Sequence, residues 1–246
     1  MAAEHFVLRG KKIVAIGRNY AEHIKELSND APKEPMFFLK PTTSYLPSGG
    51  NVQIPRGVTA HYEGPSALSL VSPSKPTCLA VELGLVIGKT SRDVSQAAAD
   101  AHIAGYALAV DMTARNMQDE VKKRRHPWTA VKGFDTFTPI SSYIPKSAVA
   151  DPDNLTLTLK VNGVTKQDGN TNQMIFKIPR LIEHVSSIMT LEEGDLVLTG
   201  TPSGVGAIVP GDRVECTLTD ASGKQLASVG FTAVQREGGY HFVPEQ

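Results

Sequence analysis

Short apolar runs, each stopped by glycine or proline, constrain this chain more than any other feature. Residues 13–17 (IVAIG), 81–87 (VELGLVI) and 105–111 (GYALAVD) are such runs. Runs of four to eight apolar residues read as buried strands. Further strands are expected at 34–39, ended by Lys40-Pro41, and at 52–54, 195–199, 213–219 and 225–231. Residues 155–161 followed by Asn162-Gly163 read as a strand and a hairpin turn, because this dipeptide takes the left-handed backbone that tight turns need. Helices are expected at 20–27 with Asn19 as N-cap, at 94–101 with Ser95 as cap, and at 113–123 and 178–187. Strands outnumber helices and do not alternate strictly with them, which predicts an α+β fold. A length of 246 residues fits a single domain.

Charge narrows the function. Lys+Arg and Asp+Glu both number 25, so there is no basic excess of the kind a non-specific nucleic-acid binder carries. No apolar run approaches the roughly 18–20 residues needed to span a bilayer. Cys78 and Cys216 lie far apart and form no CxxC pair, which argues against a disulfide framework and for a reducing compartment. The N-terminal residues carry Arg9, Lys11 and Lys12 but also Glu4, a weak match to a mitochondrial presequence. The expected location is intracellular, mitochondrial or cytosolic.

Four clusters could carry chemistry. His23 and Glu26 are three apart and share a helix face, as surface decoration or as a base oriented by a carboxylate. Glu63, Glu82 and Asp111 are acids that could bind hard Mg²⁺ or Mn²⁺. Glu82 interrupts an apolar strand, so it either faces solvent at a sheet edge or needs a partner. Lys132 follows an apolar stretch and either holds an anionic substrate or snorkels to solvent. Residues 198–206 (LTGTPSGVG) run from a strand into a glycine-rich turn, a plain turn or one that presents N–H groups to an anion.

The strings GRNYAEHIKEL, FFLKP, VELGLVIGK, ALAVDMTARNMQDE, PWTAVKGFDTFTPIS, LKVNG, TLEEGD and LTGTPSGVG, in this order, resemble the fumarylacetoacetate hydrolase family. They are most similar to its short acylpyruvase and oxaloacetate-processing branch. The resemblance implies a mixed β-roll-like core with peripheral helices, a homodimer, and a lid in the N-terminal segment at about 1–50. It implies Mg²⁺ or Mn²⁺ held by Glu63, Glu82 and Asp111, a catalytic pair His23 and Glu26, a catalytic Lys132, and Arg18, Arg115, Gln118 and Thr201 around the substrate. The implied activity is acylpyruvate hydrolysis or oxaloacetate decarboxylation through a metal-bound enolate, with oxaloacetate keto–enol tautomerisation as the alternative.

One departure touches the metal site. The family pattern sets its two glutamates two apart, as in H-x-E-x-E-L-G, on one strand face. Here seventeen residues, Gly64 to Ala80, separate Glu63 from Val81-Glu82, and removing them restores HYEVELGL. The segment reads as a surface loop, costing roughly 2–3 kcal/mol to close beyond a constant, or as a retained intron. Gly64 as GGT and Ala80-Val81 as GCA-G permit in-frame splice sites. If the insert parts the ligands, the chain is expected to be a metal-impaired, non-catalytic homologue.

Overall fold

The computed structural model describes residues 2–26, 32–58 and 77–243. Along the chain come the short helices α1 (Phe6–Arg9) and α2 (Ala21–Glu26), with strand β1 (Ile13–Gly17) between them. Strands β2 (Met36–Lys40), β3 (Tyr45–Pro47) and β4 (Asn51–Ile54) follow. Next are β5 (Thr77–Leu79), β6 (Val81–Ile87) and β7 (Ile103–Val110), then helices α3 (Arg115–Lys123) and α4 (Thr129–Lys132). The rest comprises β8 (Thr138–Ile140), β9 (Ile144–Pro145), β10 (Thr156–Val161), β11 (Val164–Asn170), helix α5 (Ile178–Ile188), β12 (Leu196–Leu198), β13 (Gly206–Ile208), β14 (Arg213–Thr219) and β15 (Gln225–Gln235).

Two mixed sheets carry the fold, as expected of an α+β chain. One runs β2-β1-β12-β6-β7-β8-β3 with β9 on β7, and the other runs β11-β10-β14-β15-β4. Pairing is parallel at β1/β12, β3/β8 and β4/β15 and antiparallel elsewhere in these two sheets. The five-stranded sheet buries alternate residues, such as Leu157, Leu159, Val214, Cys216, Val229 and Phe231. Its other face is largely solvated, so the two-residue period is visible in the sequence. Helix α5 buries Ile178, Leu181, Ile182 and Val185, the spacing of one helix face.

Strand β6 is buried on both sides along its whole length. Val81, Leu83, Leu85 and Ile87 point into the main core. Glu82, Gly84 and Val86 point the other way, where Val86 joins Ala107, Ala109, Leu196 and Leu198. Glu82 therefore sits on a central strand, and the edge-strand reading is excluded. The Asn162-Gly163 turn forms as expected, with φ of 50° and 79° between β10 and β11.

Several local expectations are corrected. Helix α2 begins at Ala21, and the Ile24 N–H donates to the Tyr20 carbonyl, so Tyr20 rather than Asn19 stands at its N-cap position. Asn19 is fully buried, donates to the carbonyls of Phe176 and Thr199, and accepts from the Phe176 N–H. The segment after Ser95 is a 3₁₀ helix, Gln96–His102, with no side-chain cap. Strand β15 runs on to Gln235 because β4 pairs beside its second half. The last residues of the expected insert, Thr77–Leu79, form a strand paired with Gly206–Ile208.

Candidate active site

The site lies where β6 begins and β7 ends, beside α3, α4 and the turn after β12. Asp111 directly follows β7, and its backbone N–H donates to the Ala80 carbonyl at 2.8 Å. Val81 pairs with Val110 and Glu82 with Ala109, so Ala80 lies opposite Asp111. Residues 80, 82 and 111 thus share one sheet face, and all three line one cavity of about 80 Å³. That volume suits a small acid better than a nucleotide-sized cofactor.

Two lysines converge on Asp111. Lys40, at the end of β2, is 1% exposed and donates to Asp111 Oδ1 at 2.6 Å and to the Phe137 carbonyl at 2.7 Å. Lys132, at the end of α4, pairs with Asp111 Oδ2 and lies 4.7 Å from the centre of the Phe38 ring. A lysine with a carboxylate partner and an aromatic face is held rather than snorkelling. Burial would raise the Asp111 carboxyl, but Lys132 and Lys40 outweigh it and hold it below the usual range. Burial lowers Lys40, against the pull of Asp111.

Glu82 is treated differently by its surroundings. Its Oε2 accepts from the Gly200 N–H at 2.8 Å, so the glycine-rich turn does present a backbone donor to an anion, the protein's own. Burial pushes this carboxyl up to about 8, and nearby Asp111 adds to the push. The two acids are therefore unequal, one ionised and one inclined to hold a proton.

The turn is itself braced. Thr201 Oγ1 donates to the Val81 carbonyl at 2.9 Å and accepts from Gln167 Nε2 at 2.9 Å. Gln167 Oε1 in turn accepts from the Val81 N–H at 3.0 Å. Helix α3 presents Arg115 and Gln118 to the cavity, joined by a 2.7 Å bond from Arg115 Nη1 to Gln118 Oε1. Lys122 lies one turn further along the same helix, at the rim. Arg18 also lines the cavity and has φ of 57°, a left-handed conformation rare for a non-glycine residue and frequent at functional sites.

The structure thus brings together Arg18, Glu82, Asp111, Arg115, Gln118, Lys132 and Thr201. Glu63 lies outside the described residues, as do the side chains of His23 and Glu26; the backbone of that pair is helical, in α2. Sequence reasoning missed Lys40 and Gln167. A lysine closing an apolar strand was the available signal for Lys40. Gln167 gave none, since its role depends on which strand end it meets.

Glu82 and Asp111 offer hard carboxylate oxygens to one cavity, which fits a divalent cation bound by two carboxylates with water or substrate completing the shell. A cation there would offset the charge that burial makes costly at Glu82. Among the described residues, no group of three or more His, Cys, Asp or Glu could hold a metal. No described helix is long and apolar enough to cross a membrane.

Known proteins resemble this chain along most of its length. The model of the fumarylacetoacetate (FAA) hydrolase C-terminal domain matches residues 12–231. The chain is 51% identical over 212 residues to a Dictyostelium discoideum protein named oxaloacetate decarboxylase, mitochondrial, covering 85% of this chain and 89% of that one. It is 52% identical over 219 residues to oxaloacetate tautomerase FAHD1, mitochondrial, of Arabidopsis thaliana, covering 89% and 91%. Among solved structures, fumarylpyruvate hydrolase from Pseudomonas aeruginosa, in complex with Mn²⁺ and pyruvate, is 31% identical with a TM-score of 0.76, covering 92% and 91%. A fumarylacetoacetate hydrolase family protein of yeast reaches 0.82 at 36% identity, covering 97% and 99%.

Proposed function

This chain belongs to the fumarylacetoacetate hydrolase family, and from that premise we propose that it is a divalent-metal-dependent enzyme acting on small 2-oxo acids, with oxaloacetate or an acylpyruvate as substrate. The observation that carries the reading is the buried grouping of Glu82, Asp111 and Lys132 on one cavity wall, ringed by Arg18 and Arg115. A bound Mg²⁺ or Mn²⁺ supplies Lewis-acid polarisation of the 2-oxo group.

The protein's own residues do the rest. Glu82 and Asp111 hold the cation. Arg18 and Arg115 bind substrate carboxylates, a planar two-pronged recognition to which arginine is suited. Lys132 donates to the oxygen that gains charge as the C2 carbonyl becomes an enolate. Decarboxylation breaks the C3–C4 bond of oxaloacetate, releases CO₂ and leaves its electron pair in that enolate. Hydrolysis of an acylpyruvate adds water at C4 before the same bond breaks. Tautomerisation moves only a proton from C3 to the C2 oxygen.

His23, oriented by Glu26, is the proposed base for the water or the C3 proton, on a lid borne by the N-terminal segment at about 1–50. The names of the two relatives favour oxaloacetate over acylpyruvate, and Thr201 and Gln118 complete its site. The same proposal includes the homodimer implied by family membership, checked by light scattering, and a mitochondrial location, in keeping with the relatives' names.

The test assays purified protein with Mg²⁺ or Mn²⁺ and again with chelator. Acetylpyruvate cleavage, oxaloacetate decarboxylation and oxaloacetate enol–keto exchange are followed in parallel. At least one should run with metal and stop with chelator. Lys132→Met should lower kcat about 10²–10³-fold, the loss typical of removing one oxyanion donor. Absence of all three reactions in folded, metal-supplied protein would mark a non-catalytic homologue.

A further inference from the structure

Glu82 and Asp111 present two carboxylates to the cavity, and the same face has one more position within reach. Residues two apart on a strand point the same way. Residue 80 precedes Glu82 by two and stands across the ladder from Asp111, tied to it by the bond from the Asp111 N–H to the Ala80 carbonyl. Directly opposed residues on one face hold their Cβ atoms about 4.5–5.5 Å apart, close enough for two side chains to ligate one ion. Ala80 is buried and lines the cavity with both acids. Its methyl group offers no oxygen.

We infer that Ala80 occupies the third-carboxylate position of a divalent-cation site whose other two positions are Glu82 and Asp111, so that residue 80 sets the cation affinity of this chain. The inference rests on the metal-dependent reading above and deepens it. Two carboxylates leave more of the shell to water and substrate. A third, directly opposite Asp111, raises both the charge and the number of fixed ligands. Without a cation, the same substitution opposes like charges across the ladder, which is unfavourable. Glutamate at 80 is therefore expected to make the protein depend on the cation for stability as well as bind it more tightly.

The experiment titrates Mn²⁺ into the full chain and reads free Mn²⁺ by electron paramagnetic resonance, with folding checked by circular dichroism. Ala80→Glu should tighten Mn²⁺ binding at least tenfold, and Ala80→Gln, of equal size without the charge, should not. Ala80→Asp replaces Ala80→Glu if the longer side chain fails to fold. Glu82→Gln should abolish the parent's Mn²⁺ binding. Equal affinities for Ala80→Glu and Ala80→Gln would overturn the inference while leaving the functional reading intact. If parent and Glu82→Gln bind Mn²⁺ equally, the functional reading falls and takes the inference with it.

Discussion

Glu82 and Asp111 are two acids on one wall with opposite tendencies, and the cause is what each touches. Asp111 meets two ammonium groups, while Glu82 meets one backbone N–H and an apolar strand. The consequence for metal-free protein has a definite sign. The Glu82 carboxyl is raised from 4.5 to about 8, so between those values the folded state keeps a proton that the unfolded chain has lost. Stability in chelator should then fall as pH rises from 5 to 8, by at most about 1.4 kcal/mol per pH unit from this group. Glu82→Gln removes the group and should flatten the slope. Melting temperatures across that range in chelator check it, and parallel profiles for the two proteins would contradict the assignment. The sequence made Glu82 conspicuous as a charge in an apolar run. It could not show that Asp111 takes up both lysines, because Lys40 and Lys132 come from distant elements.

At the scale of elements, the turn after β12 links the strand ladder to the site. Gly200 has φ of 94°, and a Cβ there would stand 2.9 Å from the Asn19 Cβ. Its N–H is the donor to Glu82. Gly200→Ala should cost roughly 1–2 kcal/mol for the left-handed backbone, plus whatever shift Asn19 must make, and should weaken Mn²⁺ binding by moving the Glu82 donor. Gly223, in the turn between β14 and β15, has φ of 83° with nothing within 4 Å of a Cβ. Gly223→Ala should carry the backbone cost alone. Denaturant unfolding and Mn²⁺ titration of both variants separate strain from site geometry; equal Mn²⁺ affinities would show that the turn does not position Glu82. The strands themselves were legible because period and turn chemistry are local properties. The helix caps were less so: Asn19 has the right chemistry for a cap, but tertiary contacts with Phe176 and Thr199 claim its side chain.

For the whole molecule, the question is why a family member should place Thr77-Cys78-Leu79-Ala80 before Val81. The backbone there has a defined job, since β5 pairs with β13 and Ala80 accepts from Asp111. Backbone pairing is largely indifferent to side chains, so any four residues of fitting size can take it. Removing Gly64–Ala80 would bring Ala60-His61-Tyr62-Glu63 to the same four positions before Val81, with Glu63 at the position of Ala80. The ladder should survive and the third carboxylate should appear. The deletion variant should fold, lose the roughly 2–3 kcal/mol of closure entropy that a seventeen-residue loop costs, and show a larger Mg²⁺-dependent rise in melting temperature than the parent. Its metal-dependent activity should rise in step. A folded deletion variant that Mg²⁺ stabilises no more than the parent would show that the inserted segment leaves the cation site undisturbed. Sequencing of cDNA asks the same question of the gene: transcripts lacking these codons would make the shorter chain the native enzyme, and transcripts that all retain them would make Ala80 a genuine feature of this family member.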